Sequence, residues 1–227
     1  MITLLSANSW IKIKIGNKVV HIDPGYMGTY KLYGLAKEVV EEPADLLLIT
    51  HEHSDHLQPG IIKKIVKKET VIIAPEVCKT LLKDPFICCQ AGESYQVEPF
   101  QIQVVHSYNT PQGHSTQKNH KKDIGVGYIL KTPQASFYHA GDTDLIPEME
   151  SFPAIDVAFL PIGGTYTMDI PEAIKATFVL QAPIVIPMHF LQEDPVEFKK
   201  LLEEQSPTRV IVLKPGQEID SLEENPS

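Results

Sequence analysis

Residues 45–56 read Asp45-Leu46-Leu47-Leu48-Ile49-Thr50-His51-Glu52-His53-Ser54-Asp55-His56, an apolar run that empties into three imidazoles and two carboxylates. The run up to Ile49 is short and uninterrupted, which predicts a strand buried on both faces. Beyond it, His51 and His53 stand two apart on a turning backbone, point the same way and can grip one cation together. Asp55 and His56, a step further round the turn, reach a second position beside the first. A helical zinc-protease motif would need His-Glu-x-x-His, with the imidazoles four apart on one helix face, and position 55 is aspartate. Glu52 points away from the cations. Downstream, Leu57-Gln58-Pro59-Gly60 leads into residues 61–68, whose apolar and lysine pairs recur at helical spacing with Pro59 in the first turn. The motif is therefore a strand-to-helix turn that holds metal.

Upstream, Ile2 to Ser6 and Trp10 to Ile15 alternate apolar with polar residues, turn at Gly16-Asn17 and return as Lys18 to Ile22. Asp23 ends that arm before Pro24-Gly25; by itself it reads first as an Asx turn. Tyr26, Tyr30 and Tyr33 follow, either walling a pocket or covering core. Downstream come a strand at 70–75, a short helix over Glu76 to Leu82, and consecutive strands at 94–97 and 100–105. A polar stretch, 106–123, carries His106, Asn109, His114 and His120. A strand pair at 125–130 and 135–140 leads to Gly141-Asp142-Thr143-Asp144. A buried strand at 157–162, a helix from Pro171 to Leu180, a strand ending at Met188-His189, a helix from Val196 to Glu204 and a strand at 210–213 complete the chain, with a frayed tail from Leu222. Asp142 suits a bridging ligand and His189 a terminal one, although each alone also reads as a turn aspartate or a buried, hydrogen-bonded histidine.

With 227 residues, 43% of them hydrophobic, the chain can bury a large core, and one domain over 1–227 is expected. No apolar run is long enough for a bilayer and no signal peptide is evident, so a cytoplasmic location and no membrane partner are expected. Cys78, Cys88 and Cys89 are odd in number and read as small buried hydrophobes rather than a disulfide framework. The net charge of −9 argues against nucleic acid as partner, because such binding draws on lysine and arginine neutralising phosphates. An anionic small molecule remains compatible, since bound cations reverse the local sign.

Taken in order, Asp23, the His51-x-His53-x-Asp55-His56 run, Asp142 within Tyr138-His139-Ala140-Gly141-Asp142-Thr143-Asp144, and His189 within Pro187-Met188-His189 resemble the motifs of the metallo-β-lactamase-fold hydrolases over nearly the whole chain. The stretches 140–144 and 160–168 look like the small cytoplasmic branch that includes the ascorbate-6-phosphate lactonase type. The resemblance implies an α/β (α+β) fold, an αββα sandwich of two mixed β-sheets with helices outside. It also implies a dinuclear centre, two divalent metals that are zinc, or manganese or iron. His51 and His53 would hold the first metal, Asp55, His56 and His189 the second, and Asp142 would bridge. Asp23 would orient a ligand imidazole. The third ligand of the first metal falls on His120 or His106, with Asn109 behind them, because the histidine that relatives carry near residue 105 is displaced here. Ala7-Asn8-Ser9 also departs from the Gly-His-Ser of many relatives.

The chemistry expected is hydrolysis by a hydroxide that the two cations generate near neutral pH, with Asp55 orienting it and passing a proton to the leaving group. A small-molecule lactone, ester or phosphoester is the expected substrate, with an anionic one compatible, and Tyr166 and Lys122, or Lys118, as contacts; a homo-oligomer is compatible with this. The alternatives are a phosphodiesterase stacking a nucleotide-like substrate on its tyrosines, an iron-binding redox protein, and a metal-binding protein without hydrolytic activity.

Overall fold

The apolar runs pair into two seven-stranded sheets, each the centre of its own compact unit. The computed structural model describes residues 1–4, 9–25 and 34–219. Ala7-Asn8, Tyr26, Tyr30, Tyr33 and the tail from Leu222 lie outside the described residues.

The first unit comprises Met1–Cys89 and Leu213–Ser227. Its strands are β1 (Ile2–Leu4), β2 (Ile11–Ile15), β3 (Lys18–Ile22), β4 (Leu46–Leu48), β5 (Val71–Pro75), β6 (Ile87–Cys89) and β14 (Glu218–Ile219), in the order β14-β1-β2-β3-β4-β5-β6. The hairpin turns where expected: Ile15 pairs with Lys18, and Gly16 supplies the left-handed backbone (φ +59) at the turn. Strands β3, β4, β5 and β6 run parallel, and β1 runs the same way as β3 because each is antiparallel to β2. The C-terminal ends of β1, β3 and β4 therefore lie along one edge of the sheet. Leu46, Leu47 and Leu48 are all fully buried, as the uninterrupted run predicts. Leu47 and Ile49 pack with Ile61, Ile62 and Ile65 of α2 (Pro59–Ile65), and with Val40 of α1 (Lys37–Val40), around Trp10 and Cys78. Each such side chain, fully removed from water, contributes about 1.5–3 kcal/mol.

The second unit is Gln90–Val212. Its strands β7 (Ser94–Val97), β8 (Phe100–His106), β9 (Val126–Lys131), β10 (Ser136–His139), β11 (Val157–Pro161), β12 (Ile184–Met188) and β13 (Arg209–Val210) lie side by side in sequence order. Strands β10 to β13 are parallel, and β8 runs with them because both β8 and β10 are antiparallel to β9. The loops after β8, β10, β11 and β12 thus share an edge. Helix α3 (Ile170–Leu180) starts at Asp169, whose carboxylate accepts the Glu172 N–H at 2.9 Å, and stops at Gln181 in the left-handed region (φ +53). Helix α4 (Pro195–Glu203) is capped likewise by Asp194.

Several elements differ from the sequence reading. The helix expected over Glu76 to Leu82 is a 3-10 turn, Glu76–Thr80, and the strand expected at 210–213 is the two-residue β13. Strands β6 and β14 and helix α1 went unread. Cys78 and Cys89 are buried, but Cys88 is exposed: it stands on the edge strand β6, and its thiol donates to Glu76 Oε2 at 3.1 Å.

Candidate metal centre

In the first unit the histidines follow β4 and the carboxylate that orders them follows β3. Asp23 is wholly buried with a left-handed backbone (φ +52), which turns its side chain toward the neighbouring strand exit. Its Oδ1 accepts the Thr50 N–H at 2.7 Å and its Oδ2 accepts the Thr50 hydroxyl at 2.6 Å. The single Thr50 hydroxyl proton is thereby committed, so the 3.0 Å contact of Thr50 Oγ1 with His51 Nδ1 is a hydrogen bond donated by the imidazole. His56 Nδ1 lies 2.7 Å from Asp23 Oδ2 and 2.9 Å from Ser9 Oγ, and donates to the carboxylate. In the neutral form both His51 and His56 therefore carry their proton on Nδ1 and keep the Nε2 lone pair, the tautomer that binds a metal.

The two ends of the motif are drawn close. His51 Nε2 is 3.1 Å from His53 Nδ1, and the His51 and His56 ring centroids are 4.0 Å apart. Asp55 Oδ2 lies 3.6 Å from His56 Nε2. His51 and His56 are buried while His53 is exposed. Gly25 makes this turn fit: a Cβ there would overlap the Asp55 carbonyl.

In the second unit Asp142 leaves the end of β10 and His189 the end of β12. Asp142 Oδ2 is 3.2 Å from His189 Nε2 and 3.4 Å from His120 Nε2, so one carboxylate oxygen faces two imidazole nitrogens. His189 has a left-handed backbone (φ +47), and Gly163 lies so close that a Cβ would overlap the His189 carbonyl. His120 donates Nδ1–H to the Tyr166 carbonyl at 3.2 Å. A carbonyl can only accept, so in its neutral form this imidazole too has an unprotonated Nε2.

The other named residues are otherwise engaged. His106, at the end of β8, faces Asp123 at 3.2 Å, and it belongs to none of the ligand-like groups found among the described residues. The Asn109 side chain bonds to the backbone of His120 and Tyr166. Lys122 meets Glu148 at 2.6 Å and lies 5.0 Å from the Tyr108 ring centroid, and the Glu148 hydrogen bond raises its pKa. Lys118 is bound to Asp144 at 2.9 Å. His114, Asp169 and Glu172 form a further compact group, in which Asp169 caps α3 and Glu172 accepts the His114 N–H. Sequence reading passed over Thr50 and the Tyr166 carbonyl. A hydroxyl immediately before the first histidine was the available signal for Thr50, whereas a backbone acceptor leaves none.

The donor set fits a divalent cation: imidazoles with Nδ1–H committed to Asp23, Thr50 and Tyr166, and carboxylates that face lone pairs. Comparison with known proteins agrees. The profile of the beta-lactamase superfamily domain matches residues 1–189. A curated metal-dependent hydrolase of Pyrococcus abyssi is 36% identical over 218 residues, 90% of this chain and 93% of that one. The crystal structure of a protein assigned as a metal-dependent hydrolase in Parabacteroides distasonis is 32% identical, with a TM-score of 0.81 over 94% of this chain and 93% of that one. A metallo hydrolase from Ignicoccus hospitalis is 26% identical, with a TM-score of 0.74 over 96% of each chain. Two mixed seven-stranded sheets with few helices and these likenesses fit the αββα class.

Proposed function

Because the chain belongs to the beta-lactamase superfamily, we propose that it is a metal-dependent hydrolase acting on a small, anionic lactone, ester or phosphoester in the cytoplasm. His51, His53 and His120 would hold one divalent cation, Asp55, His56 and His189 a second, and Asp142 would bridge them. Zinc is the proposed metal, from the nitrogen-rich donor set. The observation that carries this reading is the shared orientation: His51, His56 and His120 each tie Nδ1–H to a protein acceptor and turn Nε2 toward other candidate ligands, His53, Asp55 and Asp142.

Cations held there would lower the pKa of a coordinated water and polarise the oxygen under attack. The protein's part is to hold and to move protons. Asp23 and Thr50 keep His51 and His56 in the ligating tautomer. Asp55, which is partly exposed, would orient the nucleophile and carry a proton to the leaving group. Lys122 is already neutralised by Glu148, so Tyr166 is the remaining candidate for contact with substrate.

Elemental analysis of the purified protein, followed by assays on lactone, ester and phosphodiester panels, tests this. Two zincs per chain and a hydrolytic activity that Asp142→Ala removes are expected. One metal or fewer per chain overturns the dinuclear centre, and activity that survives Asp142→Ala overturns the assignment of the site.

A further inference from the structure

Asn109 directs its backbone N–H, its side-chain oxygen and one side-chain N–H at His120 and at the carbonyl that His120 bonds. The Asn109 N–H donates to the His120 carbonyl at 2.8 Å, and Oδ1 accepts the His120 N–H at 2.8 Å. Its Nδ2 donates to the Tyr166 carbonyl at 2.8 Å and to Asp144 Oδ1 at 3.3 Å. The same Tyr166 carbonyl receives Nδ1–H of His120. One side chain thus fixes both the backbone of His120 and the acceptor that sets its tautomer.

Asn109 is itself anchored. Asp144 is fully buried and also accepts from Thr110 N and Lys118 Nζ, each at 2.9 Å. Lys118 donates in addition to the Gly113 carbonyl at 2.7 Å and Ser115 Oγ at 2.8 Å. A Cβ on Gly113 would overlap the Asp144 carboxylate, so the loop is closed tightly around that group. A buried carboxylate with this many donors is costly to disturb, which makes it a firm base for the arm it carries.

We propose that Asn109, seated on Asp144, is a positioning residue that sets the place, direction and tautomer of His120 as a metal ligand. The proposal rests on the reading of His120 as a ligand given above. It explains why a polar loop without periodic pattern delivers an imidazole whose Nε2 stands 3.4 Å from Asp142 Oδ2.

The test uses the full chain with 15N-labelled histidine, in wild type, Asn109→Ala, Asn109→Asp and His120→Ala. Long-range 1H–15N spectra of the metal-free protein report the His120 tautomer, and competition with a chromophoric chelator reports zinc affinity. Wild type is expected to show His120 with its proton on Nδ1. Asn109→Ala is expected to shift it toward Nε2–H and to weaken one zinc equivalent by about 10- to 100-fold, the range for partners that orient a ligand. Should Asn109→Ala fail to fold, Asn109→Asp carries the test: its carboxylate still accepts from His120 N but cannot donate to Tyr166, and a loss of about tenfold is expected. Wild-type His120 protonated on Nε2, or Asn109 variants with unchanged tautomer and affinity, overturns the positioning role. His120→Ala that binds zinc as tightly as wild type overturns the ligand reading and this proposal with it. Loss in His120→Ala but not in the Asn109 variants overturns the proposal alone.

Discussion

Tyr138 lies wholly inside the second unit, edge-on to Phe152 with ring centroids 5.3 Å apart. No described residue bonds its hydroxyl, and burial pushes the phenol pKa far up. A buried hydroxyl without a partner loses its hydration and gains nothing in return, so Tyr138→Phe should stabilise the protein by about 1 kcal/mol. Urea unfolding would read this as a higher midpoint at unchanged slope, and a lower midpoint would mean that the hydroxyl has a partner in solution. His21 presents the opposite case, a buried ring with both nitrogens engaged. It accepts from Trp10 Nε1 at 3.1 Å, which requires a bare Nδ1, and its Nε2–H donates to the Glu42 carbonyl at 3.0 Å. Burial, helped by the Lys12 charge and opposed by the Glu42 carbonyl, lowers its pKa from 6.5 to about 4. Between those values the unfolded chain binds a proton that the folded chain refuses. The stabilisation is complete above pH 6.5 and is lost on acidification, by roughly 3 kcal/mol at pH 4. NMR titration should find His21 still neutral at pH 5; a midpoint near 6.5 would rule this account out.

The two ligand-bearing turns depend on glycines that no side chain can replace. Gly25 sits against the Asp55 carbonyl and Gly163 against the His189 carbonyl, so in each unit a backbone approach sets where a proposed ligand stands. Gly25→Ala and Gly163→Ala should each weaken zinc binding at least tenfold, because the displaced residue is a proposed ligand. Gly16→Ala is the contrast: nothing lies within 4 Å of its Cβ position, but φ is +59. It should cost about 1 kcal/mol of stability and leave zinc affinity unchanged. Equal zinc affinity in all three variants would refute the role of close approach. Legibility follows the same physics. Strand β4 and the turn after it could be read because an apolar run buried on both faces has few alternatives, and because the candidate ligand side chains are adjacent in sequence. Strands β6 and β14 and helix α1 span three, two and four residues, too short for any period to show. The loop after β8 was opaque for another reason. His106 and His120 carry the same chemistry, and what separates them is that Asp123 faces one while Asn109 and Tyr166 hold the other. Those are contacts between side chains and backbone distant in sequence, which no local pattern encodes.

In a chain of net charge −9, Asp23 and Asp55 stand with His51, His53 and His56 in the first unit, and Asp142 stands with His120 and His189 in the second. The proposed ligands come from both compact units: residues 51–56 belong to the first, and His120, Asp142 and His189 to the second. An unfolded chain cannot assemble such a set, so binding free energy becomes folding free energy. At zinc a hundred times its dissociation constant the gain is about 2.7 kcal/mol per site, which for a protein of this size raises the melting temperature by roughly 5–11 °C. Chelator should reverse that rise. Asp142→Ala should abolish most of it, and calorimetry should show one transition in excess zinc if the proposed set holds, because ligands drawn from both units would make their unfolding a single event. A melting temperature indifferent to both zinc and chelator would mean that the residues do not form a metal centre. A rise confined to one of two separate transitions would mean that the cation is held within one unit alone, and the assignment would then contract to His51, His53, Asp55 and His56 or to His120, Asp142 and His189.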